Sequence, residues 1–224
     1  EELFGRTPTW SATNFTILER LRQLSPVPDL LAATLPPFLD LEALSIERAR
    51  PRSRCPVIGR AAPDTRDCWP ERPEVLRDAY PGDNTVDVRI LGTARVPDLV
   101  LGDDSHTKNW VVFQPGELSR PAFLKSLDFY VDYPHSANRD IAEVAMLEAM
   151  AAGCVVVLPP EFKPRFGDAA VYARRGEVHS TLLGMYGDRN ALKRQSDRGV
   201  AYVRALHSAP RSLGLIRELL GEGA

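Results

Sequence analysis

Asp140 and Glu148 are separated by seven residues in a run whose pattern is strand, polar loop, helix and second strand. Asp128 to Tyr133 reads as the first strand and Pro134 to Arg139 as the loop. Ile141 to Ala152 reads as a helix ended by Gly153, and Cys154 to Leu158 as a second, buried strand. In a parallel α/β sheet, ligands bind where the carboxyl end of a strand meets the N-terminus of a helix. Free N–H groups and the helix dipole favour anions there. Two other readings of the acids stay open. Asp140 with Glu143 three residues on is a capping box, and Glu148, in the helix body, is a solvated residue or one partner of an ion pair. Gly153 is a helix C-cap in any reading.

The elements that must position these residues begin near Cys55. Short apolar runs at 56–59, 85–91, 109–113, 128–133, 154–158 and 169–173 read as strands. Helical spacing at 72–80, 121–127, 141–152, 178–186, 190–207 and 211–220 falls between and after them. Strands alternating with helices imply a parallel sheet covered on both faces, so the expected fold class is α/β, a Rossmann-like doubly wound sheet. Residues 1–54 differ. A helix at 15–24 and a short one at 41–49 are separated by Pro26, Pro28, Pro36 and Pro37, and Arg50, Arg52 and Arg54 follow. This stretch reads as a connector or the remnant of another domain, and residues 55–224 as one α/β domain.

Composition narrows the function classes. With 224 residues, 44% hydrophobic and 26% charged, the chain can bury one sizeable core. A net charge of −2 leaves no electrostatic footprint for nucleic acid. Cys55, Cys68 and Cys154 form no C-x-x-C pair, and the four histidines are not at zinc-ligand spacings. No disulfide framework, metal or cofactor is expected, and a reducing, cytoplasmic compartment is. No membrane span or signal peptide is expected. Arg well in excess of Lys, with abundant Ala and Pro, suggests a bacterial source. The chain begins at Glu1 without Met, so a piece of a longer protein is expected. The patterns of serine hydrolases and P-loop NTPases are absent.

The run Leu147-Glu-Ala-Met-Ala-Ala-Gly153-Cys-Val-Val-Val157 resembles the donor-binding motif of retaining glycosyltransferases of the GT-B fold, family 4. The resemblance covers residues 56–208 and implies the C-terminal half of such a fold. It implies that Glu148 binds the nucleotide ribose hydroxyls. Asp140, one methylene shorter than the family's glutamate, would face the donor sugar. The helix N-terminus at Ile141 and Ala142 would face the diphosphate. Glu143 replaces a family glycine. Val57-Ile-Gly59-Arg60 resembles the strand and loop that present an arginine to the diphosphate, a group matched by the planar Arg fork. Arg66 is the nearest cation to the place of a family lysine, near which Cys68 stands. Phe113-Gln114-Pro-Gly116 resembles the loop against the nucleobase, and Pro134-His135-Ser136 the loop before the first acid. Arg60 and Asp140 are thus the implied catalytic residues, with Gly59, Arg66, Gln114, Gly116, His135, Ile141, Ala142 and Glu148 binding substrate. The implied partners are a nucleotide-diphosphate sugar, an acceptor and a missing N-terminal domain. The departures at Asp140, Glu143 and Cys68 favour the second reading, an inactive, glycosyltransferase-like binding or scaffolding module. A doubly wound domain of unrelated function is the third reading.

Overall fold

The computed structural model describes residues 9–13, 15–31, 34–44, 53–61, 63–102, 106–138 and 143–219. By contacts the chain divides into two compact units, residues 1–40 with 204–224, and residues 41–203.

The smaller unit contains α1 (Phe15–Arg22). Extended segments are tied by Trp10 N–H donating to the Asp29 carbonyl at 2.7 Å and Leu31 N–H to the Trp10 carbonyl at 2.8 Å. Leu39 pairs with Ser208, and its N–H reaches the His207 carbonyl at 2.9 Å.

The larger unit starts with α2 (Leu41–Leu44) and then alternates. Its elements are β1 (Val57–Arg60), α3 (Pro73–Ala79), β2 (Asp87–Leu91), α4 (Arg95–Leu101), β3 (Val111–Phe113), α5 (Arg120–Lys125) and β4 (Phe129–Val131). Then come α6 (Glu143–Ala151), β5 (Val155–Leu158), α7 (Lys163–Phe166), β6 (Val171–Tyr172), α8 (Val178–Gly187) and α9 (Arg189–Leu206). The last helix of the chain is α10 (Ala209–Leu219), whose residues group with the smaller unit.

All the strand pairs are parallel and the order is β3-β2-β1-β4-β5-β6. This is the doubly wound arrangement, in which the winding direction reverses between the first and fourth strands. Every residue of β1, β4 and β5 is buried, as expected of central strands covered on both faces. The edge strands β3 and β6 are only partly buried. Gly59 is a packing requirement. A Cβ built there lies 2.5 Å from Leu127 Cδ2 and 3.0 Å from the Arg89 carbonyl oxygen. Gly59→Ala is therefore expected to destabilise by about 1–3 kcal/mol, read from urea unfolding, by overpacking β1 against Leu127.

The helix α4 was not expected from the sequence. Its first turn contains Pro97, tolerated there because early N–H groups have no helical partner. The Asp64 carboxylate supplies the cap from the loop after β1. It accepts from the backbone N–H of Arg95 at 2.8 Å and of Val96 at 3.1 Å. Gly102, with φ of +82°, ends the helix in the left-handed conformation.

Candidate functional site

The reversal between β1 and β4 places Arg60, the last residue of β1, beside the exit of β4 at Asp132 and Tyr133. Crevices outside the carboxyl ends of strands at such a point are where doubly wound sheets take ligands. What fills the position here is internal. Arg60 is 1% and Asp132 3% exposed. Arg60 Nη2 lies 2.8 Å from Asp132 Oδ1 and also donates to the Cys68 carbonyl. Nη1 approaches the Tyr80 hydroxyl at 3.4 Å, and the guanidinium lies 4.4 Å from the Trp69 ring centroid. Burial pulls the Arg60 pKa down, but Asp132, Tyr80 and Tyr130 outweigh it and hold the guanidinium firmly protonated. Burial pushes the Asp132 carboxyl up against the opposing pull of Arg60.

The loop held by Arg60 carries a second group of polar residues. A cavity of about 250 Å³ is lined by Arg66, Pro70, Glu71, Val96, Leu99, Val100 and His135. Arg66 is exposed and makes no ion pair among the described residues, and His135 is half-buried. The loop after β4 is bound to the loop after β1 at several points. His135 N–H donates to the Asp67 carbonyl at 3.2 Å, Asn138 Nδ2 to the same oxygen at 2.9 Å, and Ser136 N–H to Glu71 Oε2 at 3.0 Å. Arg66 and His135, far apart in sequence, therefore share one cavity with an apolar floor. Burial pushes the Glu71 carboxyl up, but the Ser136 hydroxyl and N–H, its own backbone and His135 bring it down to about 2. A carboxyl lowered from 4.5 contributes stability that is complete above that pH and is lost as pH falls through about 2. Glu71→Gln is expected to flatten that part of the acid unfolding profile between pH 4.5 and 2, followed by circular dichroism.

Glu148, on α6, pairs with Arg120 at the start of α5, and both side chains keep some exposure. The ion-pair reading of Glu148 is thus the one the free chain displays. Gln114 and Gly116 lie in an exposed turn after β3. Glu117 Oε2 accepts from Gln114 N–H at 2.8 Å, Glu117 N–H donates to the Gln114 carbonyl at 3.0 Å, and Gly116 has φ of +93°. Asp140, Ile141 and Ala142 lie outside the described residues. Glu143 opens α6; burial, with a smaller contribution from Glu143, pushes the Tyr202 phenol pKa up.

Asp132, Glu71 and Arg120 were missed in the sequence. Only Asp132 left a signal: an acid within the apolar run Phe129-Tyr-Val-Asp-Tyr133 must find a buried partner or stay neutral. Among the described residues no group of His, Cys, Asp and Glu is placed to hold a metal ion. None of their helices is long and apolar enough to cross a membrane.

No family model and no curated protein matches the sequence. Solved structures do match the fold. A glycosyltransferase from Rickettsia africae aligns with a TM-score of 0.66 at 11% identity, over 98% of this chain and 64% of its own. TarM of S. aureus, in complex with fondaparinux, α-GlcNAc-glycerol and UDP, aligns with 0.64 at 14%, over 94% and 42%. HepE of Anabaena in complex with UDP aligns with 0.68 at 12%, over 94% and 63%. The chain spans between 42% and 64% of the lengths of these three structures. The chain has the Rossmann-like fold of the GT-B glycosyltransferases, consistent with the C-terminal half of that fold.

Proposed function

We propose that this chain is the donor-binding domain of a retaining glycosyltransferase of family 4 type, which transfers a sugar from a nucleotide-diphosphate sugar to an acceptor. The observation that carries the reading is the reversal point between β1 and β4, with Arg66 and His135 gathered in one cavity beside it. The proposed donor contacts are Arg60, Arg66, His135 and Glu148, with the N-terminus of the central helix at Asp140, Ile141 and Ala142. Gly59 would let β1 pack so that Arg60 sits at the reversal point, and Gln114 and Gly116 would lie against the base. UDP is the first nucleotide to test, because TarM and HepE were solved with it. Residues 1–54 would be the connector to, or remnant of, an N-terminal domain carrying acceptor contacts. A bacterial, cytoplasmic setting belongs to the same proposal, supported by composition and three free cysteines.

A calorimetric screen of nucleoside diphosphates and their sugars tests it. Binding of at least one is expected, and no binding to any would remove the reading. Glu148→Ala is expected to weaken that binding tenfold or more, by losing charge-assisted bonds of about 1.5–3 kcal/mol each. Glu117→Ala, which removes only a local turn contact, is expected to have little effect.

A second reading, an inactive glycosyltransferase-like binding module, is favoured by one observation. Arg60 and Glu148 are each neutralised by a residue of the chain itself, Asp132 and Arg120. Sugar transfer assayed with the full-length protein separates the two readings.

A further inference from the structure

A buried ion pair is poor evidence of stabilisation. Removing two charges from water costs about as much as their attraction returns, and apolar replacements of similar volume are often neutral or better. The pair of Arg60 and Asp132 is incompletely hydrogen-bonded. Arg60 Nε and Asp132 Oδ1 are buried without a properly directed hydrogen bond. Among the described residues Asp132 has one charge contact, at 2.8 Å, and that contact lies at the reversal point of the sheet. Arg60 Nη2 divides its donors between Asp132 and the Cys68 carbonyl, and the guanidinium plane is covered by Trp69. A carboxylate thus occupies the anion side of an arginine where a doubly wound sheet would take a ligand's phosphate.

We propose that Asp132 is a resident anion that withholds Arg60 from ligands, so that a ligand's phosphate and the Asp132 carboxylate compete for one guanidinium. The inference rests on the donor-site reading for the identity of that ligand. It makes Asp132 a specificity-determining residue. With Asp132 in place, the anion of a ligand is met by exposed Arg66 at the cavity rim, and Arg60 contributes only when Asp132 yields. The competition is for charge and directed N–H groups, so a neutral side chain of the same shape should end it.

Titration of the whole chain with inorganic pyrophosphate, and separately with UDP, tests this. Asp132→Asn is expected to bind pyrophosphate at least tenfold more tightly than the parent chain, and to show a pyrophosphate-dependent rise in Tm that the parent does not show. Arg60→Met combined with Asp132→Leu is expected to abolish that gain. If Asp132→Asn does not fold, Asp132→Ser, which leaves room for water beside Arg60, takes its place. A folded Asp132 variant that binds pyrophosphate no better than the parent overturns the proposal, as does a gain that survives without Arg60. A gain for pyrophosphate, with neither the parent nor the variant binding any nucleoside diphosphate or its sugar, keeps the resident-anion assignment and removes the nucleotide reading. The two failures are therefore distinguishable.

Discussion

Arg60→Met is expected to destabilise the chain by about 3–5 kcal/mol, because it leaves the Asp132 carboxylate buried and uncompensated. Unfolding in urea, followed by circular dichroism, measures the loss. The double substitution Arg60→Met and Asp132→Leu is expected to recover most of it, since no buried charge then remains. The single variant should also recover at lower pH. Burial already pushes the Asp132 carboxyl up, and among the described residues only Arg60 opposes that push. Protonation then removes the buried charge. A single variant as stable as the parent at neutral pH would mean that the carboxylate is reached by solvent.

Trp69→Ala is expected to cost a similar amount, about 3–5 kcal/mol, as the largest of the fully buried side chains. Trp69 packs edge-on to Tyr80, with ring centroids 5.5 Å apart, and stacks with Trp110 at 6.4 Å. It also covers the Arg60 guanidinium. Its loss therefore opens a cavity beside a buried cation. Because Trp69 lies in the loop that carries Arg66 and Glu71, affinity for UDP should fall along with stability. Trp69→Phe should keep much of both, since its ring can still cover Arg60. A Trp69→Ala variant with unchanged stability would contradict the packing described for this loop.

The sheet was legible in the sequence because its central strands are near-continuous apolar runs, as in Val155 to Leu158, and the helices between them are periodic. The strand order was not, since no local pattern states which strand lies beside which. Helix α4 was hidden because its cap, Asp64, comes from another loop and Pro97 reads as a breaker. At the site, the resemblance to the glycosyltransferase donor motif pointed to Arg60, Arg66, His135 and Glu148. It could not identify their partners. Asp132 lies 72 positions from Arg60, and Arg120 lies 28 positions before Glu148. Ion pairs across a fold leave no spacing rule, so the neutralised state of Arg60 and Glu148 appears only in three dimensions.

The most direct measurement is chemical-shift mapping of the ¹⁵N-labelled chain during titration with UDP. The expected result is saturable shifts at the carboxyl ends of β1 and β4: residues 60–72 and 132–138, together with 143–148 at the start of α6. The contradicting result is no saturable shift, or shifts gathered at the amino end of β2 around Thr85 and His179, where α8 starts.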